Sequence, residues 1–102
     1  MNDASQPGSD WVGDAAGLEK PWMVYMVECK DGSFYTGITN DIERRQLQHN
    51  EGTASRYTRS RRPVILRYQE ICGDRTQALI RECSLRLLSR KEKEELVNRG
   101  RL

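Results

Sequence analysis

Between Tyr35 and His49 the chain reads Y-T-G-I-T-N-D-I-E-R-R-Q-L-Q-H. This order predicts the end of a strand, a tight glycine turn and the opening turns of a helix. Tyr35 and Thr36 suit a pleated, half-buried edge. Gly37 admits a backbone geometry that a side chain would block. Asn40 is placed to cap the helix, with Glu43 three residues on as its capping-box partner. Arg45 and His49 are four apart and share a helix face, with Asp41 one turn earlier. A phenol, a guanidinium and an imidazole therefore meet on one side of a small turn. Together they can position, polarise and deprotonate around a phosphate.

Upstream, Trp22 to Lys30 is rich in strand formers, and Asp31-Gly32 is the dipeptide of a tight hairpin. Phe34 to Ile38 returns as the second strand, so Tyr25 and Tyr35 flank the hairpin and can face each other across it. They can equally be two tyrosines packed for bulk. Downstream, the helix from Asp41 to Asn50 presents Ile42, Leu47 and the stem of Gln46 to a core, and Gly52 ends it. The segment Thr53 to Arg62 carries Arg56, Arg59, Arg61 and Arg62 around Tyr57 and has no acid. Such a segment suits a phosphate backbone and a stacked base, or is solvated surface.

Pro63 opens a third strand, Val64 to Ile71, at a position that need not donate to a ladder. Asp74 and Gln77 cap a helix from Arg75 to Leu88. Ser89 and Glu92 form a capping box for a last, highly charged helix held to the body by Leu96 and Val97. On the Arg75–Leu88 helix, Ala78, Glu82 and Leu85 share a face. Two readings stand for Glu82: a surface partner of Arg86 four residues on, or a metal-binding carboxylate at the rim of a site. The element order is β-β-α-β-α-α, an α+β domain with a three-stranded, mostly antiparallel sheet flanked by helices.

The 102 residues leave room for one domain. Residues 1–20 read as a flexible acidic tail, and 21–102 as the folded domain. The formal net charge of +2 splits into −3 over the first 20 residues and +5 over the rest, which favours a polyanionic partner or an ordinary basic surface. No apolar run approaches the ~20 residues that cross a bilayer, so no membrane is expected. Three cysteines at unrelated spacings, Cys29, Cys72 and Cys83, indicate neither a disulfide framework nor a thiolate zinc site. With no secretory signal, the expected place is the reducing cytoplasm. A single histidine excludes a multi-histidine metal centre.

The name-giving residues of a known pattern stand at linked spacings. Tyr25 closes M-V-Y, Tyr35 opens Y-T-G ten residues later, Arg45 follows after ten more, His49 after four, and Glu82 sits on a later helix. The segments Y-T-G-I-T-N-D-I-E-R-R, A-L-I-R-E and L-S-R-K-E-K accompany them. In these residues the chain resembles the GIY-YIG nuclease superfamily, and more narrowly its small single-domain UPF0213 group, from Trp22 to Val97. The resemblance implies a GIY-YIG-like fold of three antiparallel strands and flanking helices. It also implies an endonuclease that hydrolyses phosphodiester bonds in nucleic acid with one divalent ion, magnesium or manganese. Carried over by position, the site is Tyr25, Tyr35, Arg45, His49 and Glu82, with Glu82 as the metal ligand. Arg56, Tyr57, Arg59, Arg61 and Arg62 would grip the substrate. The first tripeptide keeps only its tyrosine. Ile38 stands where some relatives have lysine, and Glu94 where some have asparagine.

One carboxylate leaves most of an ion's coordination positions to water and phosphate, which is normal for magnesium. Arg45 can fork onto phosphate oxygens. For the base, His49 has a reference pKa of about 6.5, while Tyr25 and Tyr35 start near 10 and need a nearby cation. His49 with one tyrosine would activate the water, and the other tyrosine would orient the phosphate. No groove-reading element is present, so the expected substrate is DNA that is single-stranded or irregular. The alternatives are a nucleic-acid-binding module with little activity and an accessory subunit of a DNA repair complex.

Overall fold

A computed structural model describes residues 20–99. The acidic stretch expected to be a tail falls on residues 1–20, of which 1–19 lie outside the described residues. Strand β1 (Trp22–Glu28) is the middle of a three-stranded sheet ordered β2-β1-β3, with β2 (Phe34–Thr39) and β3 (Ile65–Gly73) both antiparallel to it. Helices α1 (Ile42–Glu51), α2 (Arg56–Arg59), α3 (Arg75–Arg86) and α4 (Arg90–Arg99) complete the fold. The order is the expected β-β-α-β-α-α with one extra helical turn, α2, inside the arginine-rich segment.

β1 is buried on both faces, which is why Val24, Tyr25, Met26 and Val27 form a near-continuous apolar run rather than an alternating one. On one face Val24, Met26 and Tyr68 pack with Leu85 of α3 and with Leu96 and Val97 of α4. On the other, Tyr25, Val27, Cys29 and Val64 pack with Tyr35 and with Ile42 of α1. The hairpin turn closes as expected: Gly32 takes φ +86°, and Asp31 Oδ1 accepts from the Ser33 amide at 3.0 Å. The turn begins at Cys29, whose amide bonds Ser33 O at 2.8 Å, so β1 stops at Glu28 rather than Lys30.

Five details depart from expectation. The cap of α1 is Asp41, not Asn40. Thr39 Oγ1 accepts from the Asp41 amide at 3.0 Å, which carries the chain one residue further before Asp41 Oδ1 takes the Arg44 amide at 3.2 Å. Leu47 does not face the core and is 63 % exposed. The inward side of α1 is instead Ile42, Gln46 and His49, at i, i+4 and i+7; Leu47 lies at i+5, on another side. β3 runs on to Gly73, and α3 stops two residues short of Leu88. Gly37 is not needed for its backbone. It stands opposite Tyr25 in the ladder, and a Cβ there would lie 2.5 Å from the Tyr25 hydroxyl oxygen. Glycine clears space for a tyrosine. The remaining caps hold, with the Asp74–Gln77 box on α3 and Ser89 and Glu92 exchanging bonds of 2.8 and 3.1 Å at α4.

Candidate active site

Tyr25 and Tyr35 lie on one face of the hairpin but not directly opposite. Tyr25 pairs with Gly37 and Tyr35 with Val27, which makes the tyrosines diagonal neighbours. Both rings meet the imidazole of His49 edge-on, with centroids 5.6 and 5.3 Å away. His49 is 1 % exposed. Its Nε2 is 2.7 Å from the Tyr25 hydroxyl, and its Nδ1 is 2.8 Å from Thr58 Oγ1. Thr58 is fully buried and lies 2.8 Å from Ser55 Oγ, which also accepts the Thr58 amide as the cap of α2. A chain of polar groups therefore runs Tyr25–His49–Thr58–Ser55. A neutral imidazole donates from one nitrogen and accepts at the other, and the two flanking hydroxyls satisfy either arrangement.

Burial, and after it the charge of Arg45, pulls the pKa of His49 from its usual 6.5 down to about 4. The ring is neutral at neutral pH. Burial also raises the Tyr25 phenol well above its ordinary value; Tyr35 and Glu82 act in the same sense, and Arg45 opposes them. The charges of Arg45 and Glu82 thus both act on the Tyr25 hydroxyl. Glu82 arrives from α3, which packs against all three strands. Its side chain is 16 % exposed, and Arg86 Nη1 stands 4.0 Å from Oε2. The surface-partner reading of Glu82 has its counterpart in Arg86, one helical turn on, and the Glu82 charge also acts on the Tyr25 phenol.

Among the described residues no group of three or more His, Cys, Asp or Glu is assembled to hold an ion. Glu82 is the one carboxylate whose charge acts on the Tyr25 phenol. This fits a hard divalent ion that keeps most of its ligands as water and phosphate oxygens, and does not fit a zinc-type cage.

The arginine-rich segment divides. Arg61 Nε lies 3.1 Å from Asp31 Oδ2, and Arg61 Nη1 donates to Tyr57 O at 2.9 Å. Arg62 donates to the carbonyls of Arg59 and Asn50 at 2.9 and 3.3 Å. Arg56 and Arg59 are exposed, and among the described residues neither is ion-paired. The Tyr57 ring stacks on Tyr35 with centroids 5.9 Å apart. A cleft of about 450 Å³ lies elsewhere, lined by Glu28, Phe34, Arg67, Arg90, Glu94 and Asn98. Its charges pair off, Arg67 with Glu28 at 3.0 Å and Arg90 with Glu94 at 2.8 Å, and no tyrosine, His49 or Glu82 lines it.

Sequence reasoning did not single out Thr58 or Ser55. The signal was the S-x-x-T spacing of a helix cap, hidden among four arginines. Asp31 was read only as a turn residue.

Comparison with known proteins matches residues 21–95 to the GIY-YIG catalytic domain. The UPF0213 protein DP2720 of Desulfotalea psychrophila is 52 % identical over 77 residues, covering 74 % of this chain and 70 % of its own. The UPF0213 protein SSP2268 of Staphylococcus saprophyticus is 47 % identical over 77 residues, covering 76 % and 94 %. Among solved structures, the solution NMR structure of EF2693 from E. faecalis superposes with a TM-score of 0.54 at 40 % identity, covering 78 % of this chain and 84 % of that one. The motif tyrosines, the sheet order and these relatives agree: the chain belongs to the GIY-YIG family, within its UPF0213 group.

Proposed function

We propose that the chain is an endonuclease that hydrolyses phosphodiester bonds in DNA, single-stranded or irregular in structure, with a divalent ion, magnesium or manganese, held at Glu82. Family membership supports a nuclease and a nucleic-acid partner. The observation that carries the finer reading is the Tyr25 hydroxyl, bonded to a neutral buried imidazole and acted on by the charges of Arg45 and Glu82.

The Tyr25 hydroxyl engages His49 Nε2 and Thr58 engages Nδ1, so the imidazole works through Tyr25. Tyr25 Oη passes its proton to Nε2 and takes one from the attacking water. The hydroxide adds to phosphorus, the ester bond breaks, and the leaving oxygen takes a proton from solvent. Burial and Arg45 oppose the imidazolium that this creates. An incoming phosphate brings the negative charge that favours it and occupies Arg45. Arg45 then stabilises charge building on the phosphoryl oxygens, while Tyr35 orients them. A divalent ion on Glu82 would supply further positive charge at those oxygens. Arg56 and Arg59, exposed and without an ion-pair partner among the described residues, supply the basic approach.

The test is incubation with plasmid and single-stranded DNA plus magnesium or manganese, beside Glu82→Ala. Cleavage that disappears in the variant supports the enzyme. Binding without cleavage under either metal would replace it with a nucleic-acid-binding module.

A further inference from the structure

Two consecutive residues of α2 address the two halves of the site. Thr58 bonds the His49 imidazole, and Tyr57 stacks on the Tyr35 ring with an interplanar angle of 25°. The Tyr57 ring also carries the Arg61 guanidinium, 3.9 Å from its centroid. A nucleobase would stack there only by displacing one of them. Arg61 is itself fixed by its bonds to Asp31 and to Tyr57 O. Asp31 is fixed in turn by the Ser33 hydroxyl at 2.6 Å, and the Lys30 amide bonds Arg61 O at 2.9 Å. The hairpin turn that launches Tyr35 is therefore joined to the helix whose ring lies on Tyr35. The circuit runs Asp31, Arg61, Tyr57, Tyr35 and back along the chain.

We propose that Tyr57 and Arg61 are positioning residues that, clasped to Asp31, set the orientation of the Tyr35 ring toward the substrate phosphate. This rests on the nuclease reading above. It reassigns two of the residues expected to grip substrate. Arg61 already has a carboxylate partner, and what it contributes is a flat, forked surface rather than a free charge.

Lysine at this position keeps the charge and loses the plane and the fork, so Arg61→Lys separates the two roles. With the full chain, magnesium and single-stranded DNA, Tyr57→Leu and Arg61→Lys should lower kcat by about 10- to 100-fold at unchanged KM, and Tyr57→Phe should restore it. A raised KM with normal kcat in Tyr57→Leu would make Tyr57 a base platform and overturn the proposal. So would normal kcat in Arg61→Lys beside a raised KM and flatter salt dependence in Arg61→Gln. A second readout needs no activity: the aromatic NMR signals of Tyr35 in the free protein should move in Tyr57→Leu and in Arg61→Lys. If wild type does not cleave, the nuclease reading fails, and these signals still decide the clasp. Unmoved signals overturn it whether or not the protein is a nuclease.

Discussion

The two faces of the sheet are built from different materials. Toward α3 and α4, β1 presents Val24 and Met26, which close on Leu85, Leu96 and Val97. Toward α1 and α2, the same strand presents Tyr25, and what closes on it is an imidazole, itself backed by a threonine hydroxyl, both fully buried. Buried polar groups cost free energy unless partnered; the imidazole and the threonine hydroxyl have their hydrogen bonds, whereas Gln46 Oε1 and Gln69 Oε1 are buried without a protein partner. The aliphatic face is a packed core, and the polar face holds the hydrogen-bonded chain Tyr25–His49–Thr58–Ser55. α3 supplies Leu85 to the aliphatic core, and the charge of Glu82, three residues earlier, acts on the Tyr25 phenol.

Substitutions on the two faces should therefore fail in different ways. The largest effect is expected for Tyr25→Phe, which keeps the ring and removes the hydroxyl. Turnover should fall by about 10²–10⁴-fold, the range for loss of an acid–base group, with DNA affinity little changed. Steady-state and binding assays on one preparation check this, and retained turnover would take Tyr25 out of the chemistry. Next is Leu85→Ala, where a side chain only 1 % exposed is truncated. It should cost about 2–5 kcal/mol of stability, read from a denaturant midpoint, while the protein still folded at low temperature keeps its turnover. A specific loss of turnover there would mean that the faces are not separable.

A third difference concerns pH. The folded pKa of His49, about 4, lies below the unfolded 6.5, so the unfolded chain binds the proton more readily between them. Stability from this residue is full above about pH 6.5 and is lost as pH falls through the folded value, by at most about 3 kcal/mol. Unfolding measured at pH 7 and pH 4.5 should show a larger loss in wild type than in His49→Gln; equal losses would contradict the buried neutral ring. The smallest effect is at the rim. Neutralising Arg56 and Arg59 together should flatten the plot of log affinity against log salt by roughly 1.4 for single strands, leaving stability within about 0.5 kcal/mol. An unaltered slope would assign them to plain surface.

Much of this was readable in one dimension. The hairpin follows from Asp31-Gly32, the central strand from Val24–Val27, and the caps of α3 and α4 from Asp74 and Ser89, because turns, strands and caps are local physics. The spacing of Tyr25, Tyr35, Arg45 and His49 is equally local, since each pair sits on a single hairpin or helix. Leu47 does not face inward because one apolar residue on a polar helix does not define a face; the inward side is set by Ile42 and His49, with the Gln46 amide reaching the Val64 carbonyl.

What the order of residues determined alone is the set of elements, their caps and the list of chemically able side chains. What only packing decided is who touches whom: that Gly37 clears room for Tyr25, that His49 reaches Thr58, and that Arg61 turns back to Asp31, thirty residues away. Propensities act over a few residues, whereas a buried imidazole needs both its nitrogens partnered. Those partners come from distant segments that meet only when the core closes.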